Sequence, residues 1–134
     1  MTNTTPVAQS APSQLPAYRM GAMLVGMGVL HFVAPKPFDT IVPVELPGSA
    51  RFYTYASGVA EVATGALVLA PRTRRFGALA AVALYLAVLP GNINMVRLWW
   101  DKPLHMKIGA IARVPMQIPM IMSALKVRRS APQI

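Results

Sequence analysis

The run Ala78-Leu79-Ala80-Ala81-Val82-Ala83-Leu84-Tyr85-Leu86-Ala87-Val88-Leu89 carries no charged side chain on any face. A helix that packs into the core of a soluble bundle keeps a polar face, often with i, i+4 charge pairs. This run has none, so each of its faces suits lipid. Working outward, it is the centre of an apolar block over residues 75–100, with Pro90-Gly91 inside. Three similar blocks span residues 17–34, 51–70 and 107–127, the first stopped by Pro35-Lys36-Pro37 and the second by Pro71-Arg72. Each is close to the ~20 residues needed to cross a ~30 Å hydrocarbon core. Pro115 and Pro119 inside the last block also suit a membrane, where neighbouring helices satisfy the freed carbonyls.

The expected fold is therefore all-α: a transmembrane four-helix bundle over residues 17–127, with helices near 17–34, 51–70, 75–100 and 107–127. A tail over residues 1–16, rich in Thr, Ser, Gln, Ala and Pro, has no charge and no hydrophobic period, the composition of a disordered segment. Residues 128–134 form a basic C-terminal tail.

Composition agrees. Of 134 residues, 54% are hydrophobic and 13% charged, against about a quarter charged in soluble domains, and the mean hydropathy is +0.46. The net charge of +9 would suit nucleic acid, but the cations sit between apolar blocks rather than on a face with interleaved aromatics, so nucleic acid is not an expected partner. The bilayer is. Arg19, Arg72, Arg74, Arg75, Lys126, Arg128 and Arg129 fall at one end of the helices, and Lys36, Arg51, Lys102 and Lys107 at the other. The excess of basic residues marks the cytoplasmic side, which puts both termini there, with Arg97, Trp99 and Trp100 at the outer interface.

The chain has no cysteine, which rules out thiolate ligands and a thiol relay within it. Two histidines and scattered carboxylates make no metal-ligand spacing, so no metal is expected, and no phosphate loop or nucleophile elbow occurs. No catalytic set is identified, and whether the chain is an enzyme stays open.

The informative residues are polar groups inside apolar helices: His31, Glu61, Asn92, Asn94, Arg113 and Gln117, with Tyr55 and Tyr85 as further donors. A charge in lipid costs about 2.5–3.5 kcal/mol on insertion scales, so such groups face the bundle interior. Gly21, Gly28 and His31 share one helix face; Gly58, Glu61 and Gly65 share another; Gly109, Arg113 and Gln117 follow at i, i+4 and i+8. Small residues let helices approach closely, so each seam carries its polar group. The spacing predicts a Glu61–Arg113 pair flanked by His31, Asn92 and Gln117. Two readings are open. The pair only fixes which helices meet, or the cluster lines a pocket opening outward for a polar headgroup or redox ring.

At these residues the chain resembles the DoxX-like family of small four-helix membrane proteins, over about residues 18–125. The matching pieces are Gly28-Val29-Leu30-His31-Phe32, Ser57-Gly58-Val59-Ala60-Glu61, Leu69-Ala70-Pro71-Arg72-Thr73-Arg74, Pro90-Gly91-Asn92-Ile93-Asn94-Met95 and Arg113-Val114-Pro115-Met116-Gln117. The resemblance implies a bacterial inner-membrane protein associated with redox systems, and places the family's polar residues on His31, Glu61, Asn92, Arg113 and Gln117. The expected function is that of an accessory subunit binding a quinone-like or other amphiphilic ligand, with a redox-protein partner. The rival readings are a non-catalytic membrane scaffold, whose loops recruit partners, and a transporter or channel, which would require a homo-oligomer.

Overall fold

The structure, a computed structural model, describes residues 4–134. Six helices follow one another: α1 (Leu15–Val33), α2 (Pro35–Asp39), α3 (Ala50–Leu69), α4 (Arg74–Ala87), α5 (Leu89–Leu98) and α6 (Leu104–Ser130). No strand occurs among the described residues. Prolines and one cap explain most boundaries. Pro16 sits in the first turn of α1, where its missing N–H costs nothing. Ser49 Oγ accepts from Phe52 N at 3.2 Å and starts α3. Pro90 divides the expected third helix into α4 and α5, because a proline ring clashes with the preceding turn and gives no amide hydrogen.

Several expected boundaries change. Residues 4–13 lack regular structure and are exposed, and α1 already begins at Leu15; residues 1–3 of the expected tail lie outside the described residues. The last helix starts at Leu104 and runs through Arg128 and Arg129 to Ser130, so these cations stand on a helix rather than in a tail. The proline segment after α1, expected as a simple break, forms the short α2.

Helices α1 and α3 make the most extensive pair. A Cβ on Gly65 would lie 2.8 Å from Gly21 O, and one on Gly28 would lie 2.8 Å from Gly58 O. The two glycine seams expected from sequence thus meet each other in antiparallel register, backbone against backbone. Gly77 brings α4 equally close to the backbone of Leu67 and Val68. Helix α4 packs on α3 and α6, whereas α5 packs mainly on α6.

The continuous apolar core is Ala17, Met20, Leu24, Val68, Ala78, Ala81, Tyr85, Ala124 and Val127. Apart from Tyr85 these residues occupy the half of the bundle nearer both termini, here the terminal end. The opposite, distal end carries the α1–α3 and α5–α6 connections. Two segments, Arg74–Leu98 and Leu104–Ser130, are long and apolar enough to cross a membrane. Only 28% and 17% of their most apolar windows are buried, which is unlike the core helix of a soluble protein.

Candidate functional site

The distal half has a polar interior. Its buried side chains include His31, Thr54, Asn94 and Gln117. His31 stacks on Phe38 of α2, ring centroids 3.8 Å apart. Its Nδ1 lies 2.7 Å from Met27 O, and since a carbonyl can only accept, Nδ1 carries the proton and donates. Glu61 Oε2 lies 3.1 Å from the same nitrogen. One hydrogen cannot serve both oxygens well, and Glu61 Oε2 is left without a formed hydrogen bond.

The expected Glu61–Arg113 pair is not made among the described residues. The partner of Glu61 is His31, brought to it by the glycine seams of α1 and α3. Arg113 is largely exposed and donates from Nη1 to Met95 Sδ at 3.4 Å, tying α6 to α5. The error lies in the helical period. Eight residues along a helix advance by about 80° beyond two full turns, so Gly109 and Gln117 do not share a face. The buried line on α6 is Ala110, Gln117 and Ala124, spaced by seven residues, or about two turns. Gly109 packs against nothing within 4 Å.

Tyr85 is buried. From the Gly77 contact with Leu67 and Val68, two turns along α4 and two back along α3 bring Tyr85 level with Glu61, within electrostatic range of it. Tyr55, by contrast, is on the outside: it stacks on Phe32 at 5.1 Å and lies beneath the Arg51 guanidinium. Asn92 is half-buried, two residues past Pro90 in the first turn of α5, and Asn94 donates from Nδ2 to Ile41 O at 2.9 Å.

Residues 38–41 cover this interior. Phe38 meets His31, Asp39 Oδ1 accepts from the buried Thr54 hydroxyl at 2.6 Å, and Ile41 O accepts from Asn94. The cover is held at its edges by Arg51–Asp39 and Arg97–Glu45 ion pairs, both at 2.9 Å. Hydrogen bonds from Arg51 and Thr54 hold the Asp39 carboxyl below its ordinary range, and Arg97 does the same for Glu45.

Among the described residues, four buried side-chain atoms have no hydrogen-bond partner within the protein: Glu61 Oε2, Tyr85 Oη, Asn94 Oδ1 and Gln117 Oε1. All four belong to residues singled out from sequence. Native proteins pair nearly all such groups, and exceptions cluster where function or a ligand accounts for them. Two clefts in the structure are lined by other residues. One is a narrow crevice at the terminal end, including Gln14, Lys126 and Ser130. The other is an open apolar cleft of about 520 Å³ between α5 and α6, lined by Ile93, Val96, Arg97, Ile111, Val114 and Pro115.

Arg74 is the side chain that sequence reasoning placed wrongly, as a loop charge. It is 1% exposed. Its Nε and Nη2 donate to Val68 O and Leu69 O, both at 2.7 Å, and Nη1 to Gln14 Oε1 at 2.9 Å. With Thr73 Oγ bonding Leu67 O at 2.8 Å, three orphan carbonyls at the end of α3 are satisfied. The signal available was position, since basic residues just past a helix end bond its last carbonyls.

The model of one protein family, described as Domain of unknown function (DUF8561), matches residues 20–128. The chain belongs to this family. The match takes in α1 from its second turn, every helix after it and the entire polar cluster, and leaves out only the two ends. No curated protein and no solved structure gives a significant match.

Proposed function

We propose that this DUF8561 protein is a multi-pass membrane protein, crossing with α1, α3, the α4–α5 pair and α6, whose polar cluster binds the ring of a quinone-like amphiphile. The reading includes both termini on the cytoplasmic side of a bacterial inner membrane and a redox protein as partner, as the resemblance to DoxX-like proteins implies. Support for α1 and α3 as spanning helices comes from their outward side chains. Val29, Val33, Phe52 and Val59 are 47%, 74%, 65% and 60% exposed, while His31 and Glu61 of these two helices turn toward each other.

The observation that carries the ligand reading is the set of four unpartnered buried atoms. Three are carboxylate or amide oxygens, and the Asn94 orientation is fixed by its Nδ2 bond to Ile41 O. His31 Nδ1 is taken up by Met27 O and Asn94 Nδ2 by Ile41 O, while the unpartnered Tyr85 hydroxyl can donate as well as accept. A hydroquinone brings two hydroxyls to three waiting acceptor oxygens, whereas a quinone carbonyl finds one donor among the four unpartnered atoms. The reduced ring is the better fit, its tail lying in the apolar α5–α6 cleft. Oxidation of the bound hydroquinone to the quinone would pass two electrons to the redox-protein partner and release the two hydroxyl protons.

Binding of decyl-hydroquinone and decyl-benzoquinone to the protein in lipid nanodiscs tests this, followed by mass spectrometry of retained ligand. Wild type should retain the reduced form at least about tenfold better, roughly the 1.4 kcal/mol of one hydrogen bond. Gln117→Leu with Asn94→Leu should abolish the preference. Equal, non-saturable retention of both forms by wild type and variant would sink the reading. The scaffold reading, in which the cluster only locks the helices together, predicts that indifference.

A further inference from the structure

The chain's seven cations at the terminal end are Arg19, Arg72, Arg74, Arg75, Lys126, Arg128 and Arg129, and its four acidic side chains, Asp39, Glu45, Glu61 and Asp101, all lie elsewhere. At the distal end Arg51 and Arg97 are neutralised by Asp39 and Glu45, and Lys107 sits 4.6 Å over the Trp100 ring. At the terminal end the one committed cation is Arg74, and it binds carbonyls and Gln14, which leave its charge intact. The other six are exposed and make no ion pair among the described residues.

A second observation identifies the partner. Apolar side chains begin directly beside these cations: Phe76 is 65% exposed next to Arg75, and Met122 and Leu125 are 62% and 38% exposed next to Lys126. A soluble polyanion would leave that apolar band in water. A molecule with an anionic head and hydrocarbon tails covers both at once. A narrow crevice between the start of α1 and the end of α6, with Ser13, Lys126 and Ser130 among its lining residues, opens beside these cations, and ammonium and hydroxyl groups are donors suited to phosphate oxygens.

We infer that the terminal end is a docking surface for anionic phospholipid headgroups, seated between α1 and α6 and along the Arg72–Arg75 turn. The inference rests on the membrane reading above but not on the ring-binding site. Basic clusters of this size at the cytoplasmic base of membrane helices bind anionic lipid, with an attraction that salt screens.

Native mass spectrometry of the full chain, released from mixed phosphatidylglycerol–phosphatidylcholine micelles at equal mole fraction, tests it. Wild type should retain phosphatidylglycerol about tenfold over phosphatidylcholine at low salt, with the preference falling as salt rises. The variant Arg72→Gln, Arg75→Gln, Lys126→Gln, Arg128→Gln, Arg129→Gln should retain both equally while keeping its helical circular dichroism. Lys36→Gln with Lys102→Gln, at the distal end, should leave the preference unchanged. Equal retention of the two lipids by wild type overturns the inference, as does a preference that survives in the terminal variant or disappears in the distal one. A chain that retains neither lipid and stays monodisperse without detergent overturns the membrane reading and this inference with it.

Discussion

The two ends of the bundle are inverted versions of each other. The terminal half has a mainly apolar core of alanines and aliphatic residues, with Thr64 and the fully bonded Arg74 as its buried polar side chains, and it is surrounded by unpaired surface cations. The distal half has a polar interior, with His31, Thr54, Asn94 and Gln117 buried, and a surface whose arginines Arg51 and Arg97 are ion-paired. Polar groups that would weaken a core are thus concentrated where residues 38–41, at the end of α2 and just beyond it, can satisfy some of them. The terminal half, held by close backbone contact and by Arg74, is the part that makes the fold. The distal half is the part with unused chemistry.

This contrast can be broken most severely at Arg74. Arg74→Met would leave Val68 O, Leu69 O and Gln14 Oε1 without their donor, a loss of about 3 kcal/mol or more at one to three per buried orphan. Unfolding in detergent should show it as the least stable of these variants. Gly65→Val comes next. Its Cβ would meet Gly21 O at 2.8 Å, where neither backbone can give way, and overpacking of this kind costs about 1–3 kcal/mol.

In the distal half the sign reverses. Gln117→Leu removes a buried oxygen that has no partner, so stability should rise by about 1 kcal/mol while hydroquinone retention falls. A Gln117→Leu protein that melts below wild type would mean that the oxygen is satisfied in the folded state.

The smallest effect is that of pH. Hydrogen bonds from Arg51 to Asp39 and from Arg97 to Glu45 lower both carboxyl pKa values below 3.8 and 4.5. A lowered folded value means that the stabilisation is fully present above the ordinary pKa and is lost as pH falls through the folded one. Hydrogen exchange over residues 38–46 should therefore quicken below about pH 4, with no matching change around Arg74, whose partners do not titrate there.

Much of this was legible along the chain. The seams Gly21–Gly28 and Gly58–Gly65 were readable because a spacing of seven keeps residues on one face, and each face could only be buried against another small surface. The same arithmetic failed for Gly109 and Gln117, where a spacing of eight drifts round the helix. From sequence Pro90-Gly91 lies inside one expected helix over residues 75–100, and that it divides this helix into α4 and α5 depended on the packing on either side. The cluster residues His31, Glu61, Asn94, Gln117 and Tyr85 stood out as polar groups in apolar surroundings. Their partners did not, because contacts such as Asn94 to Ile41, 53 residues apart, depend on how the loop folds back.

By itself, the sequence determined that this chain is helical, which segments are apolar, where charge is absent and which side chains are out of place among hydrocarbon. These are local properties of composition and period. Only the tertiary structure decided that Glu61 meets His31 rather than Arg113, that Arg74 is interior and Arg113 is not, and that residues 38–41 close over the polar half. Each depends on helix neighbours and rotation about the helix axis, which small residues permit at many angles and only the packed bundle fixes.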